Sequence, residues 1–247
     1  TKGTRELRYR NFFYYSTLGL VFVMVGTGLV FPLVWAAFLW AAMAVVMAWF
    51  SGRTGWVSLS LQCTFLLLAA GIGSGLLATG LGALAGEPSN DWSVFSYLHI
   101  GVAAATVACL FIPVAQKSER WGVLAGLPQL VVLALSVWEV GGLVVAYGSI
   151  LLAGADVTGI DRAALAALRT AVLSAASVTL ALSSRHWRWP EARWLVYPVL
   201  VLVGIKLFLE DFPHGQPATL FVALAFVGTA LLLVARLLRR EDKPSGV

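Results

Sequence analysis

Apolar residues run along this chain in stretches of about twenty, separated by short polar breaks, which is the pattern of membrane-crossing helices. Eight spans are predicted, at about 11–29, 32–51, 57–84, 92–115, 122–152, 161–184, 191–210 and 217–237. Between the first two only Phe31-Pro32 interrupts the apolar run, and a stretch that long must turn back once. The third and fifth spans have the length to tilt, kink or include part of a loop. The pattern predicts an all-α integral membrane protein. Residues 1–247 then form a single polytopic bundle of about eight transmembrane helices.

Composition agrees with the pattern. Hydrophobic residues make up 60% of the 247 and charged residues only 12%, with a mean hydropathy of +0.86. A soluble domain of this length could not hide so much apolar surface in one core. The net charge of +5 would suggest nucleic acid in a soluble protein. Here the position of each charge matters more than the sum, and no nucleic-acid partner is expected.

Charge placement predicts the topology. With the N-terminus inside, the inner segments hold Lys2, Arg5, Arg8, Arg10, Arg53, Lys117, Arg120, Arg185, Arg188, Arg193, Arg236, Arg239, Arg240 and Lys243, fourteen of the seventeen basic residues. The outer loops hold Glu87, Asp91, Asp156, Asp161, Glu210 and Asp211, with Arg162 as their one basic residue. This positive-inside bias puts both termini in the cytoplasm. Aromatic residues gather at the inner boundary: Phe12, Phe13, Tyr14, Tyr15, Trp49, Trp56, Trp121, Trp187, Trp189 and Trp194. A bacterial-type cytoplasmic (inner) membrane is the expected location. The basic start, with no small-residue cleavage site behind it, does not read as a signal peptide.

Polar residues inside the spans are the candidate site. The segment 204–217, GIKLFLEDFPHGQP, carries Lys206, Glu210, Asp211 and His214. Pro213 and Gly215 predict a short outer turn, into which Lys206 snorkels to pair with Glu210. The turn reads as a charged helix end, or as an acidic mouth for a cation or proton. Deeper, Glu139 shares a stripe with Gln129 and Ser136, while Arg169 lies about 12 Å below Asp161 at 1.5 Å per residue. Its helix face also carries Thr170, Ser174 and Ser177. Glu139 and Arg169 fall at similar depths on neighbouring antiparallel spans, so an intramembrane ion pair is expected, since either charge alone in lipid costs several kcal/mol. It either locks two helices or forms part of an ion path.

Other features read as structural. Residues 73–78 match a dinucleotide fingerprint by letter, yet no strand precedes them and they lie inside a span. Gly71, Gly75, Ala78 and Gly82 are expected instead to form a helix-packing groove, a broken helix being the alternative. His99 could ligate haem or pigment magnesium, but it has no second buried histidine and reads better as a hydrogen-bonded packing residue. Cys63 and Cys109 show no metal spacing, and no metal site is expected. Thr158-Gly-Ile-Asp161 resembles a capping box, and Pro190-Glu191 suits a first helical turn.

No nucleophile, zinc or P-loop motif occurs, so the expected function is non-catalytic: a scaffold or accessory subunit of a larger membrane complex. Its partners would be membrane lipids or pigment and other membrane subunits, with no soluble substrate identifiable and the cofactor left unknown. The alternative is a small-solute, ion or proton transporter or channel working through Glu139 and Arg169.

Overall fold

The computed structural model describes residues 2–89, 92, 97–112, 126–154, 157–187, 189–214 and 216–239. Expectations for Asp91, Lys117, Arg120, Trp121, Asp156, Arg188, Arg240 and Lys243 lie outside these residues. So do those for the side chains of residues 1–10, 214 and 239.

The protein is all-helical, with no strand among the described residues. The helices are α1 (Lys2–Val30), α2 (Leu33–Thr54), α3 (Val57–Gly73), α4 (Leu76–Ala85), α5 (Tyr97–Phe111), α6 (Leu127–Ala153), α7 (Arg162–His186), α8 (Pro190–Lys206), α9 (Phe212–His214) and α10 (Pro217–Arg239). A π-helical turn, Leu207–Asp211, joins α8 to α9. Among the described residues, six helical segments are long and apolar enough to cross a membrane, and seven if α3 and α4 count as one bent span. The chain divides into two units, residues 1–77 with 96–135, and residues 78–95 with 136–247.

In the first unit, Pro32 ends the α1 run as expected, with φ −52° and ψ 139° that cannot continue a helix. Along α2 the alanines at 36, 37, 41, 44 and 48 are buried. So small a stripe lets neighbouring backbones approach closely, the usual way apolar helices associate where burial itself offers no driving force. Trp40 Nε1 donates to Thr27 Oγ1 at 2.8 Å, tying α2 to α1. A Cβ at Gly101 on α5 would lie 2.7 Å from the Phe38 ring of α2, so a side chain there requires that ring to shift.

The long third span is not one helix. It breaks between Gly73 and Leu76, where the two pieces meet at 70°. Gly75 there has φ +78°, a conformation costly for any residue with a Cβ. The loosened backbone groups are satisfied locally. Gly75 N donates to Ile72 O, Leu76 N to Ser74 Oγ, and His99 Nε2 to Ser74 O at 2.9 Å. The groove expected along Gly71, Gly75, Ala78 and Gly82 is therefore interrupted, because its members stand on two differently directed helices. A Cβ at Gly75 would meet nothing within 4 Å, so glycine is needed there for its φ and not for packing. His99 also departs from an axial-ligand role, since its Nε2 is engaged at the break.

In the second unit, close packing falls on glycines outside the expected groove. A Cβ at Gly142 of α6 would sit 2.5 Å from Gly80 Cα of α4, so two backbones cross in near contact. Around the crossing, Ala83, Trp92, Val145, Ala146, Ile160 and Leu165 form a buried cluster. The alanine- and serine-rich α7 packs against α8 and α10. Its N-cap is Asp161, whose carboxylate accepts from Ala163 N at 3.3 Å. The capping box proposed from Thr158 is thus replaced: residues 157–159 make a 3-10 turn, and the cap comes three residues later. Pro190 takes the first turn of α8 as expected.

These two kinds of glycine make different demands. Gly75→Ala should cost about 1–2 kcal/mol, because a Cβ must enter the left-handed region. Gly142→Leu should lose the folded protein outright, because no side chain fits against Gly80. Thermal unfolding in detergent measures both, and a neutral Gly142→Leu would mean that the helices do not cross there.

Candidate functional site

The chemistry of the second unit begins with a helix that has to stop. An α-helix leaves its last four carbonyls without intrahelical donors. At the end of α4, Gly82 O accepts from Gly86 N at 2.8 Å, and Ala83 O takes a side-chain donor instead. The donor is Arg169, projecting from α7. Its Nε donates to Ala83 O at 2.6 Å, and its Nη2 donates to Gly82 O at 3.3 Å and to Gly86 O. Its charge also meets the negative end of the α4 dipole. The guanidinium plane suits this task, since its donors form a fixed fork. The indole of Trp92 lies 5.9 Å from Arg169 Cζ.

Arg169 is 4% exposed at the side chain, so its charge needs a counterion. Glu210 supplies it, with Oε1 2.7 Å from Nη1. The acid that meets Arg169 is therefore Glu210 and not Glu139. Glu139 is fully buried on α6, but Arg169 is committed elsewhere. Depth matching pointed to Glu139 because it treated Glu210 as part of a solvent turn. Residues 207–214 are helical, so Glu210 and Asp211 stand on a helix rather than in a turn, while Gly215 lies outside the described residues. The helix continues from α8 through a π turn, in which Phe212 N donates to Leu207 O five residues back.

The π turn aims two consecutive acids at α7. With an i→i+5 repeat, residues four and five beyond Lys206 flank its direction on the helix. Lys206 Nζ accordingly lies 3.2 Å from Glu210 Oε2 and 3.8 Å from Asp211 Oδ2. The same ammonium donates to Ala166 O at 3.0 Å and to Thr170 Oγ1 at 3.1 Å. Thr170 Oγ1 in turn donates to Asp211 Oδ2 at 2.6 Å. Asp211 is only 2% exposed, so the expected outer acidic turn is in fact a buried network. The backbone of His214 ends α9 just beyond it.

Two cations, Arg169 and Lys206, thus meet two anions, Glu210 and Asp211. The cluster is neutral within itself. Such a group fits poorly as the ligand set of a metal ion, because two of its four charges are positive. No set of three or more His, Cys, Asp or Glu able to hold a metal occurs among the described residues. The rest of the polar stripe is buried. Ser177 Oγ bonds to Ser174 O one turn back, and Gln129 and Ser136 are buried on α6. Cys63 and Cys109 are free thiols in the first unit, 3.9 Å apart at sulfur.

Beside the cluster opens a recess of about 330 Å³, walled by Glu87, Pro88, Arg162, Leu165, Arg169 and Glu210. Sequence reasoning missed it. Its walls come from three chain segments whose meeting no local spacing announces.

Pair couplings test the network. Glu210→Gln should cost about 3–5 kcal/mol, since it leaves a buried guanidinium without its counterion. Arg169→Lys should be nearly as damaging, because an ammonium cannot reach three carbonyls and a carboxylate together. A double-mutant cycle on thermal unfolding should show strong coupling of Arg169 to Glu210 and weak coupling to Glu139. Strong coupling to Glu139 alone would overturn the assignment.

No protein-family model matches this chain, and no curated protein or solved structure matches it, so what the cluster does follows from its own chemistry.

Proposed function

We propose that the protein is a non-catalytic, multi-pass membrane protein serving as a scaffold or accessory subunit of a larger assembly. One observation carries this reading. Arg169, Lys206, Glu210 and Asp211 of the second unit neutralise one another, and the two cations spend their donors on backbone carbonyls and on the acids. Groups arranged in that way hold helix ends in place. The peripheral helices supply surface for neighbours: only 6% of the most apolar α1 window is buried, and 17% of that of α10. Lipid, pigment or other membrane subunits would cover the rest.

The finer topology is eight spans with both ends in the cytoplasm of a bacterial-type inner membrane. Eight follow if α3 with α4 makes one bent span and α5, fifteen residues in its described part, makes another. The recess supports this arrangement. Pro88, Arg162 and Glu210 belong to three segments that the charge pattern puts on the same outer side, and they line one recess.

A second reading, transport, is favoured by the break between α3 and α4, since interrupted helices inside apolar segments are common in transporters. Purification in mild detergent at native expression separates the two. A stable complex with other membrane proteins, and no ion flux after reconstitution, is the expected result. A single species that conducts ions would reject the scaffold reading.

Topology is tested with single cysteines in a Cys63→Ser, Cys109→Ser background. Pro88→Cys and His214→Cys should react with an impermeant reagent from outside, and Ser118→Cys and Trp187→Cys should not. Outside labelling at 118 would refute eight spans.

A further inference from the structure

The sequence holds only two cysteines, and the fold brings them to one point in the first unit. Cys63 on α3 and Cys109 on α5 are 46 residues apart in the chain, yet they meet as free thiols with their sulfurs 3.9 Å apart. Each is only 4% exposed. A second contact shows that this meeting belongs to the packing of the two helices. Ser74, eleven residues after Cys63, accepts through its carbonyl from His99, ten residues before Cys109. The helices therefore run antiparallel in one register, tied at two points about 16 Å apart along α3 at 1.5 Å per residue. Leu67 and Ala70 of α3 and Val102 and Thr106 of α5, all buried, fall between the ties. Bringing the sulfurs to the roughly 2 Å of an S–S bond thus takes rotation of two side chains and no sliding of helices.

We propose that Cys63 and Cys109 are a reversible dithiol–disulfide couple, closed by a hydroperoxide, that staples α3 to α5 at the end of their seam opposite the α3–α4 break. The other use of paired thiols, a metal site, fails on charge and ligand number. Neither helix carries Asp, Glu, Lys or Arg. Two thiolates around a univalent soft cation would leave a net negative charge in that setting, which burial penalises. A zinc-like ion requires four ligands, and no set of three or more His, Cys, Asp or Glu forms among the described residues. The hydroxyls one turn before each cysteine are already engaged, Ser60 with Ser51 and Thr106 with Val102 O. A disulfide is uncharged and suits the same surroundings. In the first step the sulfur of one thiol attacks the terminal peroxide oxygen and the O–O bond breaks. A sulfenic acid forms, and the thiol proton leaves on the alcohol. In the second step the other sulfur attacks the sulfenic sulfur, the S–S bond forms, the S–O bond breaks, and water carries away the remaining proton. The sulfurs lose two electrons and the peroxide gains them. An organic hydroperoxide suits a buried pair because it enters apolar surroundings. Exchange with a small dithiol reverses the closure. The loop so closed contains Ser74, Gly75 and Leu76, so the bond restrains the break.

The test treats the whole chain, in lipid nanodiscs, with tert-butyl hydroperoxide in the presence of a metal chelator. Both thiols should disappear together in denaturing maleimide labelling, leaving the intact chain two hydrogens lighter and still monomeric on a non-reducing gel. Dithiothreitol should restore both. Hydrogen exchange read by mass spectrometry gives the consequence. Peptides from α3 and α5 should exchange about tenfold more slowly in the oxidised protein, while those from α10 keep their rate. Cys63→Ser and Cys109→Ser each leave one cysteine without a partner. At least one of these variants should then end one oxygen heavier, and neither should show slowed exchange. If neither gains oxygen, the sulfenic route is wrong and the proposal fails. Thiols left intact in the parent chain would overturn it, as would oxidation that requires copper, disulfides between chains, or oxygen gained in place of hydrogen lost. A disulfide that leaves exchange unchanged would be a bond without a switch, and would overturn it equally.

Discussion

The structure of the second unit depends on where α4 ends. Gly82 O is met by Gly86 N, but Ala83 O relies on a side-chain donor, and an unpaired buried backbone group costs a few kcal/mol. Arg169 resolves this by donating to three carbonyls, and each later feature follows from that choice. A buried guanidinium demands a carboxylate, which Glu210 supplies. A second acid, Asp211, comes beside it on the same turn and demands a second cation, which is Lys206. Replacing the whole set by apolar residues could be tolerated, but removing one member could not, because an uncompensated buried charge is worse than none.

The π turn makes that closure possible. In a regular α-helix the residue four beyond Lys206 lies near it, and the fifth swings away. Widening the turn brings both positions to α7, at the expense of poorer backbone geometry over five residues. The wider turn also accommodates Pro213, which cannot donate an amide hydrogen bond to the preceding turn. A proline that reads as the end of a helix therefore marks a place where the helix changes pitch and carries two acids inward.

Much of the fold is legible in the sequence, and the reasons for the exceptions are physical. Phe31-Pro32 and Pro190 act through φ and a missing donor, which are properties of single residues. The apolar runs act through length. What could not be read depended on partners distant in the chain. The expected Glu139–Arg169 pair failed because carbonyl oxygens have no letter of their own, so Arg169 looked as if only an acid at equal depth could satisfy it. The glycine groove failed because G-x-x-x-G spacing presumes one continuous helix. Gly75 served to break that helix, and the close crossing fell to Gly80 and Gly142. A glycine chosen for its φ and one chosen for its size look the same in a sequence.

The division between saturated and available charges also bears on how such a protein can evolve a function. Deep groups are constrained jointly, since changing Thr170, Lys206 or Asp211 alone breaks bonds made by the other two. Rim groups such as Glu87 and Arg162 are constrained by nothing inside the described fold. A rim can therefore change its charge pattern without cost to the helices beneath, provided the wall behind it is rigid. The lock supplied by Arg169 and Glu210 is that wall. On α7, Arg169 is thus tied to the carbonyls and carboxylate around it, whereas Arg162, two turns nearer the helix start, is exposed and outside that network.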